Sequence, residues 1–149
     1  MNDTIRLLRE HRSIRRFNEQ EIAPDLLQQI IAAGQSASTS SFCQSVSVIR
    51  VTDKQKRQDI AGWAGGQPYV ESAAEFLVFC ADLCRANTLI DQLEPGSATD
   101  PERFSWTEQF ITASLDVGLF AQNCAIAAQS LGLGICYIGG VRNCIQDVS

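Results

Sequence analysis

Two hydrophobic periods run along this chain. After Pro24, a residue suited to the first turn of a helix, Leu26, Leu27, Ile30, Ile31 and Ala33 or Gly34 recur at helical spacing. A shorter helix is expected over 3–10, capped by Asp3 or Thr4, with Ile5 and Leu8 on one face. Asp53 to Ala61 predicts a polar amphipathic helix, and Pro68 to Ala74 a short one after the break at Gly65-Gly66-Gln67. The strand period appears from Ser45 to Val51, through Val46, Val48, Ile49 and Val51. The run Phe76-Leu77-Val78-Phe79-Cys80-Ala81 is almost wholly apolar and fits a strand buried on both faces. Ile135 to Ile138 predicts a third strand, ended by Gly139-Gly140. Residues 11–17 alternate Arg, Ile and Arg and suit an extended segment. Residues 86–104 carry Asn, Pro, Gly, Ser and Asp without a period and predict a loop. Asn143 with Gln146 resembles a capping box opening a last helix.

The longest pattern covers 105–131, about 40 Å of helix. It is apolar on several faces (Trp106, Phe110, Ile111, Leu115, Leu119, Phe120) and rich in Ala, Ser and Gly. Such a helix belongs in a core or an interface. Three strands, two of them buried, need covering layers on both faces, so the chain reads as the N-terminal part of a longer single domain.

The 149 residues include 12 basic and 17 acidic side chains and one histidine, for a net charge of −5. The imbalance is local. Residues 1–60 hold nine Lys/Arg against seven Asp/Glu; residues 61–149 hold three against ten. Four of the basic residues are Arg9, Arg12, Arg15 and Arg16. A cationic cluster in an acidic protein suits a small anionic ligand, and argues against nucleic acid and anionic membrane as partners. No apolar run is expected to reach the ~20 residues of a membrane span. Six cysteines without a CxxC pair or a neighbouring histidine give neither a disulfide framework nor a metal site, and predict a reducing, cytoplasmic setting.

Three segments could carry chemistry. In His11-Arg12-Ser13-Ile14-Arg15, Arg12 can fork onto a phosphate, with Ser13 and Arg15 adding donors. The alternative is a solvated loop pairing with Glu10 or Glu19. His11 is open to catalytic, phosphate-binding or structural roles. The hydroxyl cluster Ser38-Thr39-Ser40-Ser41 beside Phe42 suits a flat ring with a polar tail, or a simple helix-capping loop. Gly139-Gly140 would let backbone N–H groups approach a ligand off a strand end, or would make only a turn. Gln67 adds an amide that can donate and accept.

In this order, HRSIRRF at 11–17, ASTSSFCQ at 37–44, GGQPYV at 65–70, AAEFLVFCAD at 73–82, AQNCAIAAQSLGLG at 121–134 and YIGGVRN at 137–143 resemble the nitroreductase family, within it the oxygen-insensitive NADPH nitroreductase and flavin reductase subgroup. The resemblance spans all but the region near 86–104. It implies an α+β, FMN-binding fold: a central mixed sheet flanked by helices, with a long buried helix at the core of an intertwined homodimer. It further implies FMN contacts from His11, Arg12, Ser13 and Arg15, and from Ser38, Thr39, Ser40, Ser41 and Phe42, partly across the dimer. Gln67 would meet the isoalloxazine edge, and Ile138, Gly139 and Gly140 the ring near N5. The implied activity is two-electron, ping-pong transfer from NADPH or NADH through the flavin to a nitroaromatic, quinone or flavin, with no catalytic acid–base residue. A cation such as Arg15 would offset the negative charge of the reduced ring. The family continues past the point corresponding to Ser149, so residues completing its phosphate site have no counterpart in the chain. The alternative is an inactive remnant, or a dimerisation partner without stable FMN binding.

Overall fold

The computed structural model describes residues 1–18, 20–93 and 104–148. Helix α1 (Asp3–Arg9) is capped one residue earlier than expected: the Thr4 amide donates to Asn2 Oδ1 at 2.9 Å. Helix α2 (Pro24–Gln35) starts on its proline and ends near the expected position. Strand β1 (Val46–Arg50) pairs antiparallel with β2 (Leu77–Ala81), Val48 facing Phe79. Flanking bonds from Asp82 N to Ser45 O (2.8 Å) and Val51 N to Phe76 O (3.0 Å) carry the pairing to the expected strand limits. Between the strands lie α3 (Lys54–Trp63), capped by Asp53, and α4 (Pro68–Ser72).

The pleat explains why the second strand is apolar throughout. Val46, Val48 and Phe79 face a cluster of Ile30, Phe120, Cys124 and Ala128, supplied by α2 and α6 (Thr107–Ser130). Val51, Phe76 and Val78 face Ile60, Ala61 and Val70, supplied by α3 and α4. Helices therefore cover both faces of the strand pair, in an α+β arrangement.

Three expectations are corrected. Ile135–Ile138 is extended but not a strand; the described sheet has two antiparallel strands, so no mixed sheet forms among the described residues. The segment joins its neighbour through one backbone bond, Ile14 N to Ile135 O at 2.9 Å. Residues 86–93, expected to belong to a loop over 86–104, lie in helix α5 (Cys84–Leu93). The Asp82 carboxylate accepts from the Arg85 amide at its start, a cap that favours helix here. The remainder of that loop, 94–103, lies outside the described residues. The last helix, α7 (Ile145–Val148), is preceded by 3-10 turns over Gly139–Cys144, so Asn143 sits inside a helical turn rather than at a cap.

Helix α6 is long and apolar enough to cross a membrane by length and composition, where no such run was expected. One side of it is nevertheless packed in the fold: Ala113, Asp116, Phe120, Ala121, Cys124, Ala125 and Ala128 are buried. The opposite side is open, with Ile111, Leu115 and Leu119 exposed. Complete burial of this helix is thus not reached within one chain. The six cysteines are all free thiols, and burial pushes the Cys124 thiol up to about 11.

Helices α2 and α6 meet where α2 has no side chain. A Cβ on Gly34 would lie 2.4 Å from Phe120 Cε1 and 2.5 Å from Cys124 Sγ. Gly34→Ala is therefore expected to destabilise the fold by about 1–3 kcal/mol, read from the urea midpoint.

Candidate functional site

The basic segment is anchored by Ile14 and His11. The Ile14 side chain fills the place of a side chain on Gly134, whose Cβ would fall 2.9 Å from Ile14 Cγ2. His11 Nδ1 lies 3.0 Å from Gln129 Oε1, near the end of α6. That carboxamide oxygen only accepts, so Nδ1 carries the proton in this contact. Arg12, Ser13 and Arg15 are exposed and make no ion pair or hydrogen bond among the described residues. Their donors are free for an anion. Of the two carboxylates expected as competitors, Glu10 makes no ion pair among the described residues and Glu19 lies outside them.

Gln67 and the glycine pair meet at one carbonyl. Gln67 Nε2 donates to Ala64 O at 2.8 Å, and the Tyr69 hydroxyl donates to Gln67 Oε1 at 2.8 Å. Gly140 packs on the same Ala64 carbonyl, where a Cβ would come within 2.2 Å of the oxygen. Ile138 inserts against the cluster of α3 and α4. The N–H groups of Gly139 and Gly140 precede the first bond of their 3-10 turn and find no protein acceptor among the described residues. The stretch 134–140 thus runs from the basic segment at Ile14 to the Gln67 amide. From Ile135 to Gly140 it can span at most about 17 Å.

The hydroxyl segment lies elsewhere on the same helix. Asp116, only 1% exposed, accepts from the Ser40 amide at 2.9 Å and from the Ser45 hydroxyl at 3.3 Å. From Asp116 to Gln129 is about 20 Å of helix. Within one chain, then, Ser38–Phe42 is not brought to His11–Arg15. The segment is held in an unusual shape: Ser41, Phe42 and Gln44 all have φ near +50°, a region that costs a non-glycine residue roughly 1–2 kcal/mol. The Phe42 ring is 77% exposed. Arg85 adds a clamp by donating to the carbonyls of Gln44 and Val46. A depression of about 450 Å³ between α2 and Arg50 includes none of these residues.

Asp116 and Gln129 escaped sequence reasoning. For Asp116 a signal existed: it is the single charge between Glu108 and the end of α6, inside an apolar helix.

The donors without a partner among the described residues fit a phosphorylated ring: guanidinium and hydroxyl groups at one end, backbone N–H groups at the other. The Nitroreductase family model covers residues 8–148. The chain belongs to the nitroreductase family. It is 48% identical over 148 residues to an NADPH-flavin oxidoreductase of Vibrio harveyi, covering 99% of this chain and 58% of that one. An FMN reductase (NADPH) of Bacillus subtilis is 44% identical, over 100% of this chain and 59% of the relative. Among solved structures, the NfrA1 nitroreductase from B. subtilis superposes with a TM-score of 0.92 at 42% identity, covering 98% of this chain and 58% of that chain. The NADPH:FMN oxidoreductase from V. harveyi, complexed with NAD+, superposes with a TM-score of 0.87 at 47% identity, covering 99% and 60%. This nitroreductase-family chain therefore spans under two thirds of these relatives' lengths.

Removing the Asp116 carboxylate leaves the Ser40 amide and the Ser45 hydroxyl without an acceptor. Asp116→Ala should cost about 2–4 kcal/mol in urea unfolding and speed amide exchange at Ser40. Asp116→Asn, which keeps one acceptor oxygen, should lose less.

Proposed function

We propose that this chain carries the FMN-binding elements of an NAD(P)H-dependent oxidoreductase acting on nitroaromatics, quinones or flavins in the cytoplasm. The observation that carries the reading is a set of donors without a partner among the described residues: Arg12, Ser13 and Arg15 beside Ile14, and the Gly139 and Gly140 N–H groups at the far end of the stretch 134–140 that Ile14 contacts. The names of the relatives, an NADPH-flavin oxidoreductase and an FMN reductase, support the same cofactor and donor. When bound, FMN supplies two-electron hydride transfer through N5. The protein's part is to hold and tune it. Arg12 and Ser13 would take the phosphate, with Arg15 placing positive charge where the reduced ring gathers negative charge. His11, held by Gln129, keeps the segment in place. Gln67, held by Ala64 and Tyr69, would meet the ring edge, and the Ile138–Gly140 backbone the N5 side. None of these groups needs to transfer a proton, so the roles are binding and orientation.

The free chain should be yellow after desalting and lose its flavin absorbance on adding NADPH under anaerobic conditions. Arg12→Gln should weaken FMN binding about 10–100-fold, the worth of a charge-assisted bond. A colourless wild-type protein would overturn the reading.

The open side of α6 supports a homodimer. Ile111, Leu115 and Leu119 are each about half or more exposed on one helix face, and a Cβ at Gly118 would meet nothing. Each such side chain gains about 1.5–3 kcal/mol on burial. A second copy packed there could bring its Ser38–Phe42 segment and exposed Phe42 ring to the basic segment of the first. Sedimentation should find a dimer, and Leu115→Glu should yield monomers with weakened FMN binding.

A further inference from the structure

One cation beside the site has no role in this reading. Arg142 follows Gly140 by two residues and is exposed. Its guanidinium rests on Gly139: a Cβ there would lie 3.0 Å from Nη2, 3.2 Å from Nη1 and 3.4 Å from Cζ. The plane of the group occupies the face that glycine leaves bare. No carboxylate reaches Arg142 within ion-pair distance among the described residues.

The surroundings make this unusual. Residues 61–149 hold three basic side chains, Arg85, Arg103 and Arg142, against ten acidic ones. Arg85 is committed to the carbonyls of Gln44 and Val46, and Arg103 lies outside the described residues. Arg142 is therefore the described cation of that half with unused donors. Its guanidinium fork matches the geometry of an oxyanion. An acidic surface disfavours anions in general, so one unpaired guanidinium makes its own location selective.

We infer that Arg142 binds the oxyanion of the small molecule that docks beside Gly139. That oxyanion belongs to an anionic electron acceptor or to a phosphate of the nucleotide donor. The inference rests on the proposed flavin site, because it makes the docking molecule a redox partner of that site. A guanidinium lying on a glycine, without a salt bridge, can swing to a ligand by side-chain rotation alone. Neutral acceptors would gain little from it.

The test compares the FMN-loaded wild-type chain with Arg142→Gln and Arg142→Lys. The probes are 4-nitrobenzoate, nitrobenzene and NADPH. Binding of the two nitro compounds is measured by calorimetry on the oxidised protein, and the KM for NADPH is measured with nitrobenzene as acceptor. A loss of about tenfold in 4-nitrobenzoate affinity in Arg142→Gln, with nitrobenzene unchanged and Arg142→Lys intermediate, supports the acceptor as the source. A similar rise in the NADPH KM, with both nitro compounds unchanged, supports the donor phosphate. Unchanged values for all three probes, with FMN content equal to wild type, overturn the role of Arg142 and leave the flavin reading intact. Failure of the wild-type chain to hold FMN overturns both.

Discussion

Helix α6 can bear the rest of the structure because α2 comes very close to it. Gly34 leaves no room for even a methyl group between its backbone and the Phe120 ring and Cys124 sulfur. That contact seats Ile30 and Phe120 in one cluster, sets the Phe79 and Phe120 rings 6.1 Å apart at a tilt of 57°, and lets Asn123 donate to Ala33 O at 3.2 Å. With α6 fixed, its polar exceptions become anchors. Asp116 holds the hydroxyl segment, and Gln129 holds His11.

The second layer works differently. Helices α3 and α4 are tied by a buried cation: Arg57 donates through Nε to Val70 O at 3.1 Å, and also reaches Ala73 O. Burial pulls this guanidinium below its usual range, against the pull of Glu75 and Glu71. The carbonyls at the end of α4 are thereby satisfied without a glycine cap. This keeps the Ala64–Gln67 turn in position, and the Gly140 backbone rests on it. One face of the strand pair thus serves the long helix, and the other serves the glycine end of the site.

Much of this was legible. The period-3.6 stripe after Pro24, the alternation of Val46 and Val48, and the apolar run at Phe76 each reflect burial that a local pattern encodes directly. Helix α5 was not legible, because its start depends on the Asp82 cap and its composition resembles a loop. The third strand was misread for the opposite reason. Ile135 and Ile138 have strand-like residues and are partly buried, but they pack against helices, and only one ladder bond forms. For the site, the motifs named candidate residues, yet they could not say that Ser38–Phe42 lies about 20 Å along α6 from the basic segment. Nor could they say that Arg142 lies over Gly139.

The sequence alone determined which residues prefer water and which avoid it, where helices start on proline or end on glycine, and the membership of this chain in its family. Those properties are local, or are preserved motif by motif. Tertiary structure decided which polar groups are consumed and which stay free. Asp116, Arg57, Arg85 and Gln67 are bonded within the fold, while Arg12, Ser13, Arg15 and Arg142 have no partner for their side-chain donors among the described residues. Whether a charged group is spent or available depends on partners far away in the chain, and only a folded backbone brings those partners within bonding distance.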